Sequence, residues 1–521
     1  EGRRRCRRLG PVADPQGELA LLEEYLELGR PLAWDGDEPV EELRRAALPG
    51  MVLEGEELVR VRGFLECCEA VRRDLRRGGP RLRELAERVQ PLEGLLGELR
   101  RTLTPEGRVR EEASPRLREL RRRAQRLRTR LREHLEGLLD AHPELFQDRY
   151  ITIRSGRHVL PVRADRRAEL PGVVHDWSQS EATCFLEPLS AVEMGNALSL
   201  AEAEVREAER EVLAGLSERV RAALRPLWEN LEALRELDLL QAKAELARRW
   251  RAVRPRLGAA SLRLEGVRNP LLRDPVPVDV LLPEGRRVLI ISGPNGGGKT
   301  AALKSLGICA LLAHCGCFVP ARRADLPELR HLFADIGQRQ ELASSLSAFC
   351  FQLVRVRQAL EQAGPGSLVL LDEPASGTDP VEGAALAQAV LEELRARGAW
   401  VVASTHLAGL KAYALGSPEV EPAAVLLEDG RPTYRIHYGR PGTSDALRVA
   451  EAMGLPSSVT SRARALLGAE HRTLEALERE YRRLQELTGQ LEAQRDRLRR
   501  LFEQMLAQRQ ELLERFGRRL E

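Results

Sequence analysis

Apolar residues recur every three or four positions over most of the first 255 residues, which is the spacing of one face of a helix. One such series is Leu58, Val61, Leu65 and Cys68. The pattern predicts helices at 18–28, 40–47, 55–76, 81–103, 114–140, 192–224 and 226–254. Phe64 lies on the apolar face of its predicted helix, so we expect it in the core.

An alternating pattern replaces the helical one between residues 149 and 190. Residues 150–154 and 157–163 read as strands, and Ser155 and Gly156 between them are typical turn residues. The pattern predicts a β-hairpin within a small β unit. Because this unit lies between two long predicted helices, we expect the helices to run antiparallel with the β unit at their tip.

A short apolar run followed by a glycine-rich loop is the most specific signal in the chain. Residues 288–291 are apolar, residues 293–300 read G-x-x-x-x-G-K-T, and residues 301–313 resemble an apolar helix. Strand, glycine loop and helix in this order are the setting of a phosphate-binding P-loop. The glycines let successive backbone N–H groups face one anion, and the helix N-terminus adds its positive end.

This loop predicts an ATP-binding site. Lys299 is expected to reach the β- and γ-phosphates, and the hydroxyl of Thr300 to hold Mg²⁺. The residues predicted to bind ATP are Gly293, Pro294, Asn295, Gly296, Gly297, Gly298, Lys299 and Thr300.

Two further apolar strands are predicted to deliver catalytic side chains. The strand predicted at 367–374 carries two carboxylates near its end, of which Asp372 would bind Mg²⁺ through water and Glu373 would orient and deprotonate the attacking water. The strand at 400–405 is followed by His406, at the edge where parallel α/β sheets bind their ligands. A single histidine is usually structural, but this position favours a γ-phosphate contact.

Charge is informative in one region of the chain only. The 521 residues are 43% hydrophobic and 31% charged, with a formal net charge of +3, which indicates a globular multi-domain protein. Residues 116–132, however, hold nine arginines and one acid. Two interpretations stay open: a solvated helix face shaped by codon usage, or a surface that follows phosphates. The second makes Arg121, Arg122, Arg126 and Arg130 candidate nucleic-acid contacts.

The cysteines and the apolar runs bear on location. The eight cysteines lack paired C-x-x-C spacing, no apolar run reaches 18 residues, and no secretory leader is evident near the start. We therefore expect reduced thiols and a cytoplasmic protein.

Because the sequence does not begin with Met and ends within a heptad pattern, we expect it to be a fragment. That pattern predicts a coiled coil and consists of Leu477, Leu484, Leu491, Leu498, Met505 and Leu512.

Taken together, these segments resemble the bacterial MutS-two branch, a paralogue of the mismatch-repair MutS proteins. The resemblance rests on residues 148–163, 172–180, 185–188, 293–300, 371–387, 405–413 and 432–444. It implies an ABC-type ATPase that uses ATP and Mg²⁺ and forms a homodimer with ATP between the subunits. The segment 345–349 stands where the family has its signature loop. The resemblance therefore implies that Ser345 and Ser347 act in trans on the partner's γ-phosphate, with Asp379 nearby.

The chain departs from the family pattern around the signature loop. Residues 336–340 read IGQRQ where the family has IGDEQ, Ala348 replaces the usual threonine, and Gln352 with Leu353 replaces a His-Met pair. Arg268-Asn269-Pro270 stands where the family has R-H-P. The L-D-x-R and H-G-x-G patterns of the family's C-terminal nuclease part do not occur after residue 470.

The expected fold class is multi-domain, mostly α plus α/β. The expected parts are a helical core (1–113), a lever helix (114–148), a β clamp unit (149–190), a returning lever helix and core (191–255), an ABC-type P-loop ATPase domain (256–468) and a coiled-coil stalk (469–521).

The resemblance implies two functions that the sequence does not separate. One is binding of collided ribosomes through rRNA and their ATP-driven splitting. The other is binding of branched DNA to suppress recombination, with endonuclease activity in the nuclease part. A structural ATPase of the SMC type is less favoured, because only 73 residues separate Lys299 from Asp372 and leave no room for an intervening coiled coil. An ABC transporter subunit would carry L-S-G-G-Q, which does not occur.

Overall fold

A computed structural model describes residues 10–32, 34, 38–294, 296–337, 345–428, 431–440, 450–451, 454–466 and single positions between 480 and 505. The chain forms two compact units. One is Glu27–Gln241, and the other combines the segment through Leu26 with the chain from Ala242 onward. The coiled coil predicted at 469–521 lies outside the described residues apart from those single positions, and it stays a prediction.

The N-terminal part of the chain is helical and contains α1 (Pro15–Glu27), α2 (Val40–Ala46), α3 (Gly55–Leu75), α4 (Pro80–Arg88) and α5 (Glu93–Thr102). The single helix predicted at 81–103 is wrong, because Val89 is extended and the chain bends there before α5 begins. Pro91 explains the break, since proline lacks an N–H donor and disfavours helix in the residue before it. Phe64 is 3% exposed, which confirms its predicted place in the core.

In the sequence, one long helix precedes the small β unit and another follows it. They are α6 (Pro115–Ala141) and α7 (Leu189–Ala222), and α8 (Leu224–Trp250) follows. The strands are β1 (Thr152–Arg154), β2 (Arg157–Arg163), β3 (Gly172–Trp177) and β4 (Thr183–Pro188), in the antiparallel order β1-β2-β4-β3. Ser155 and Gly156 both have positive φ, as a two-residue hairpin turn requires, so the predicted hairpin is confirmed.

A shared core and a series of ion pairs join α6 to α7. Leu131, Leu135 and Leu139 of α6 pack with β2, β4 and the first turns of α7. Farther along, arginines of α6 pair with glutamates of α7 in reverse order along the chain, which shows that the helices run antiparallel. The pairs are Arg116–Glu211, Arg121–Glu209, Arg123–Glu204 and Arg128–Glu202, at 2.8, 2.6, 3.0 and 2.6 Å.

The second unit contains two sheets and further helices. The smaller sheet has the order β5 (Arg256–Leu257), β9 (Arg323–Leu326), β6 (Leu262–Val267), β7 (Val278–Leu282). The larger has the order β10 (His331–Asp335), β11 (Ser367–Leu371), β12 (Trp400–Thr405), β8 (Val288–Ser292), β13 (Val420–Glu428), β14 (Arg431–Tyr438). The helices are α9 (Lys299–His314), α10 (Ser345–Gln362), α11 (Pro380–Ala396), α12 (Ala408–Gly416) and α13 (Ser457–Leu466).

The larger sheet is covered on both faces. Leu289 and Ile291 of β8 belong to a core shared with α9 and the smaller sheet, whereas Val288 and Ile290 pack with α10, α11 and α12. Burial on both faces explains why these strands are continuous apolar runs in the sequence. The first five strands of the order are parallel, so the carboxyl ends of β8, β10, β11 and β12 meet at one edge. Among the described residues, no helix is long and apolar enough to cross a membrane.

Candidate active site at the sheet edge

The loop between β8 and α9 depends on glycine at defined positions. Gly293, Gly296 and Gly298 have φ angles of 145°, 79° and 98°, in the region that residues with a side chain rarely adopt. A Cβ atom at Gly293 would also lie 2.7 Å from the carbonyl oxygen of Val425. The loop therefore has the backbone geometry that the P-loop prediction requires.

The remaining loop residues close a tight turn before α9. Gly297 is buried, and its N–H donates to the carbonyl of Pro294 at 3.2 Å. Asn295, predicted to bind ATP, lies outside the described residues. The turn brings the chain directly to Lys299, the first residue of α9.

The Lys299 ammonium lies inside the loop. Only 4% of the residue is exposed, and Nζ donates to the carbonyls of Gly293 (2.7 Å) and Pro294 (3.3 Å). Nζ also lies 3.4 Å from Oε1 of Glu373. A buried ammonium needs such partners, and a phosphate can replace them because it offers more acceptor oxygens and more charge.

Asp372 is held by hydroxyls from two different elements. Thr300 Oγ1, in the first turn of α9, donates to Asp372 Oδ2 at 2.8 Å. Ser404 Oγ, near the end of β12, donates to Asp372 Oδ1 at 2.6 Å. The structure thus brings together the two residues predicted to be metal ligands and adds Ser404, which the sequence interpretation missed.

Thr300 and Asp372 fit a magnesium ion. Among the described residues, no cluster of three or more His, Cys, Asp or Glu is arranged to hold a metal. One hydroxyl and one carboxylate are the protein ligands of Mg²⁺ sites that take their other oxygens from substrate phosphates and water. These two residues would therefore hold Mg²⁺, which when bound neutralises charge developing on the phosphate oxygens.

Glu373 is aimed by an unusual backbone conformation. Its φ is 51° and that of Ala375 is 62°, a left-handed conformation that costs energy for non-glycine residues. The Glu373 N–H donates to Ser404 Oγ at 2.9 Å. Oε2 of Glu373 lies 3.5 Å from Nδ1 of His406, whose side chain is about half exposed. The predicted base and the predicted phosphate contact therefore face each other at the sheet edge.

Gln352 is a second side chain that the sequence interpretation did not assign to the site. Its Oε1 accepts from the N–H of Ala375 at 2.7 Å, and its Nε2 donates to Asp335 Oδ2 at 2.9 Å. Arg355 donates to the other oxygen of Asp335 at 3.2 Å. Gln352 thus links α10, the end of β10 and the turn that carries Glu373.

The residues expected to act in trans begin two neighbouring helices. Ser345 is the first residue of α10, and the side chains of 345–348 lie outside the description. Asp379 is the N-cap of α11, where its Oδ1 accepts from the N–H groups of Val381 (2.9 Å) and Glu382 (3.1 Å). Where Ser347 and Asp379 lie relative to a second subunit stays a prediction.

The four candidate nucleic-acid arginines differ in their surroundings. Arg121 donates to the carbonyl of Val109 and to Glu209 of α7, so its charge is already balanced by these two acceptors. Arg122, Arg126 and Arg130 are exposed, and none of their side chains has a hydrogen bond or ion pair with another described residue. The three exposed arginines, at i, i+4 and i+8 on α6, therefore form the surface that remains available to phosphates.

Comparison with known proteins agrees with this geometry. A family model described as MutS domain V matches residues 289–470, which contain the loop and all three strand ends. The Endonuclease MutS2 of Thermomicrobium roseum is 41% identical over 513 residues, covering 92% of this chain and 65% of that protein. The Endonuclease MutS2 of Pelotomaculum thermopropionicum is 39% identical over 480 residues, covering 90% and 60%. That of Thermus thermophilus is 42% identical over 433 residues, covering 83% and 58%.

The chain thus spans between 58% and 65% of the length of these three relatives. The similarity extends over most of the chain, including the helices and the β unit that precede the MutS domain V match. Over most of its length the chain is therefore similar to MutS2 proteins, which are paralogues within the MutS family.

Proposed function

We propose that this chain is an ATPase whose catalytic centre lies at the carboxyl ends of β8, β11 and β12. One observation carries the proposal: the Thr300–Asp372 hydrogen bond and the Lys299–Glu373 contact converge on the same loop. This arrangement offers a cation for phosphate, oxygen ligands for Mg²⁺ and a carboxylate base within one cluster.

The contacts suggest how Glu373 becomes available as a base. When the γ-phosphate of ATP enters the loop, Lys299 turns from Glu373 to the phosphate oxygens. Glu373 then accepts a proton from the attacking water, whose oxygen bonds to the γ-phosphorus as the bond to the ADP oxygen breaks. His406, beside Glu373, is proposed to contact the γ-phosphate.

Two substitutions test the proposed ATPase. Lys299→Ala is expected to weaken ATP binding by about a hundredfold or more, because it removes a charge-assisted contact of roughly 3 kcal/mol. Glu373→Gln should keep ATP bound but stop turnover. Glu393→Gln is the matched control, because Glu393 pairs with Arg397 on the exposed side of α11. Normal hydrolysis by Glu373→Gln would remove Glu373 from the role of base.

We also propose that two copies of the chain enclose the ATP. Large apolar side chains are exposed on α10 and at the start of α11: Phe351 (69%), Val354 (45%) and Val381 (72%). Apolar groups of this size next to the segment that begins at Ser345 are typical of a surface that another subunit covers.

Mixing two inactive variants tests this assembly. Lys299→Ala disables the ATP-binding loop of one subunit. Ser347→Ala disables, in the other subunit, the segment that is proposed to reach its partner's ATP. A mixed dimer therefore retains one intact site. Some activity should return on mixing. If the Glu373→Gln protein sediments only as a monomer in the presence of ATP, the proposed dimer with ATP between its subunits is excluded.

The target on which this ATPase acts is proposed to be a nucleic-acid assembly. The line Arg122, Arg126 and Arg130 suits phosphates, and phosphate contacts position a nucleic acid without reading its sequence. The first candidate is a collided ribosome, bound through rRNA and split by the ATP cycle. The second is branched DNA; the name endonuclease that the relatives carry denotes an activity on nucleic acid.

A pull-down separates these two targets. Glu373→Gln, which should hold the ATP-bound state, is used as bait in a cell lysate with and without nuclease treatment. Recovery of ribosomal subunits supports the first candidate, and recovery of branched DNA supports the second. A bait that retains ATP and recovers neither would contradict a nucleic-acid target.

A further inference from the structure

The turn at residues 373–375, which carries Glu373, is held by hydrogen bonds from two side chains. Ser404 binds the N–H of Glu373, and Gln352 binds the N–H of Ala375. Both turn residues have left-handed φ angles, so the conformation persists only where neighbouring groups hold it. Breaking either hydrogen bond allows the turn to relax and the Glu373 carboxylate to move.

Asp335 determines which way the Gln352 amide faces. An ionised carboxylate only accepts hydrogen bonds, so it requires the NH₂ group of Gln352 to point toward it. The amide oxygen then points to the N–H of Ala375. Arg355, one turn further along α10, holds the second carboxylate oxygen and keeps Asp335 in place.

We propose that Gln352 is a positioning residue that sets the aim of Glu373 and ties it to α10. The inference rests on the proposed ATPase function and extends it. Seven residues separate Ser345 from Gln352, about 10 Å along a continuous helix. We infer that a displacement of the start of α10, where the partner subunit is proposed to bind, is transmitted to the Glu373 turn through this amide.

Exchanging the two members of the Asp335–Gln352 pair tests the proposal. Gln352→Glu places two carboxylates against each other, so the side chain turns away and the Ala375 N–H loses its acceptor. We expect the rate of ATP hydrolysis at saturation to fall about tenfold or more, with ATP affinity changed less than about threefold. Asp335→Asn alone should also lower the rate, because an amide no longer dictates the orientation of Gln352.

The double variant Gln352→Glu with Asp335→Asn reverses donor and acceptor. The amide introduced at position 335 can then donate to the carboxylate introduced at position 352, whose other oxygen accepts from the N–H of Ala375. We expect the rate to return to within about threefold of the original. Gln388→Glu is the matched control, since Gln388 bonds Glu392 on α11, outside this network, and it should leave the rate unchanged.

Each result decides the inference. A Gln352→Glu protein that hydrolyses ATP normally overturns it. A double variant no better than the worse single variant, with an unchanged melting temperature, also overturns it, because the paired geometry is then irrelevant. If the original protein binds no ATP and hydrolyses none, the proposed function fails instead, and the two failures are distinguished.

Discussion

Thr300 Oγ1 donates a 2.8 Å hydrogen bond to Asp372 Oδ2, which joins the first turn of α9 to the end of β11. The bond holds the two proposed magnesium ligands at hydrogen-bond distance. We predict that Thr300→Val lowers the hydrolysis rate about tenfold or more and raises the Mg²⁺ concentration for half-maximal rate, because one oxygen ligand is lost. Thr300→Ser keeps the hydroxyl and should behave nearly normally. A magnesium titration measures both, and equal curves for the two variants would contradict the assignment.

Ser404 is predicted to affect catalysis without binding ATP. Ser404→Ala removes the donor to Asp372 and the acceptor of the Glu373 N–H. We expect hydrolysis to fall about tenfold to a hundredfold while ATP affinity stays within about threefold, since a lost hydrogen bond to a charged group is worth roughly 1.5–3 kcal/mol.

Ser367 supplies a matched control for that substitution. It is also a fully buried serine, but it lies at the opposite end of β11 and accepts from the N–H of Gly364. Ser367→Ala should lower the melting temperature without a specific loss of rate. Similar rate losses in the two variants would show that Ser404 acts through stability alone.

Cys350 is predicted to report on dimer formation. Among the described cysteines it is the exposed one, and it adjoins Phe351 on α10. Burial raises the pKa of Cys309 to about 12, so at pH 7.5 that thiol should not react with N-ethylmaleimide. Cys350 should react first, and ATP with Glu373→Gln should slow its modification, because a second subunit then covers α10.

Mass spectrometry of the modified peptides measures each cysteine separately. Cys67, which is partly exposed in the other unit, serves as an internal reference. A Cys350 rate that is unaffected by ATP would place the subunit contact elsewhere.

Three arginines of α6 are predicted to bind phosphates. Replacing Arg122, Arg126 and Arg130 with Gln should weaken nucleic-acid binding and reduce the salt slope by up to about three units, one for each lost phosphate contact. Basal ATP hydrolysis should stay normal. Binding measured across a range of salt concentrations gives the slope.

A second triple variant controls for total charge. Arg116, Arg123 and Arg128 pair with glutamates of α7, so replacing them with Gln removes the same charge from side chains that are already engaged. This variant should change the slope less. Equal slopes in the two triple variants would show that the exposed line is only solvated surface.

His158 is predicted to make the small β unit sensitive to acid. Its partial burial lowers its pKa, Arg128 of α6 lowers it further, and Glu202 of α7 and Glu187 of β4 act in the opposite direction. The folded state therefore resists a proton that the unfolded chain accepts below about pH 6.5. The stability that neutral His158 contributes is present above that pH and is lost as the pH falls through the lowered pKa.

Urea unfolding at pH 7.5 and pH 5.5 tests this sign. The original protein should lose more stability between the two values than His158→Gln, which has no ionisable group at this position. An equal loss in both proteins would assign the acid sensitivity to other groups.

Local patterns predicted much of the site, whereas contacts between distant segments did not follow from them. The positions of Lys299, Thr300 and Asp372 follow from spacing within one loop and one strand. Ser404 offered a weak signal, a polar residue near the end of an apolar strand. Its partners became clear only from the neighbouring position of β11 and β12 in the sheet. Gln352 had no spacing signal, because Asp335 and Ala375 come from two other elements.

The helices α6 and α7 and the β unit between them show the same distinction between local and tertiary information. The helical pattern predicted α6 and α7, and the turn residues predicted the hairpin between them. Which arginines stay exposed depended on the side of α6 that α7 covers, and a pattern on one helix does not contain that information. Arg121 therefore could not be separated from Arg122 by sequence alone. Pro91, by contrast, was a visible signal for the break between α4 and α5.

The four arginine–glutamate pairs between α6 and α7 also have a mechanical consequence. Sliding one helix along the other would break all four pairs together and shift the leucines out of their core, so we expect α6 and α7 to move together as one rod. With 27 residues, α6 is about 40 Å long, so a rotation of roughly 10° at one end displaces the other by about 7 Å. A small torque at the base of this rod thus becomes a displacement of the β1–β4 sheet comparable to the spacing between neighbouring phosphates.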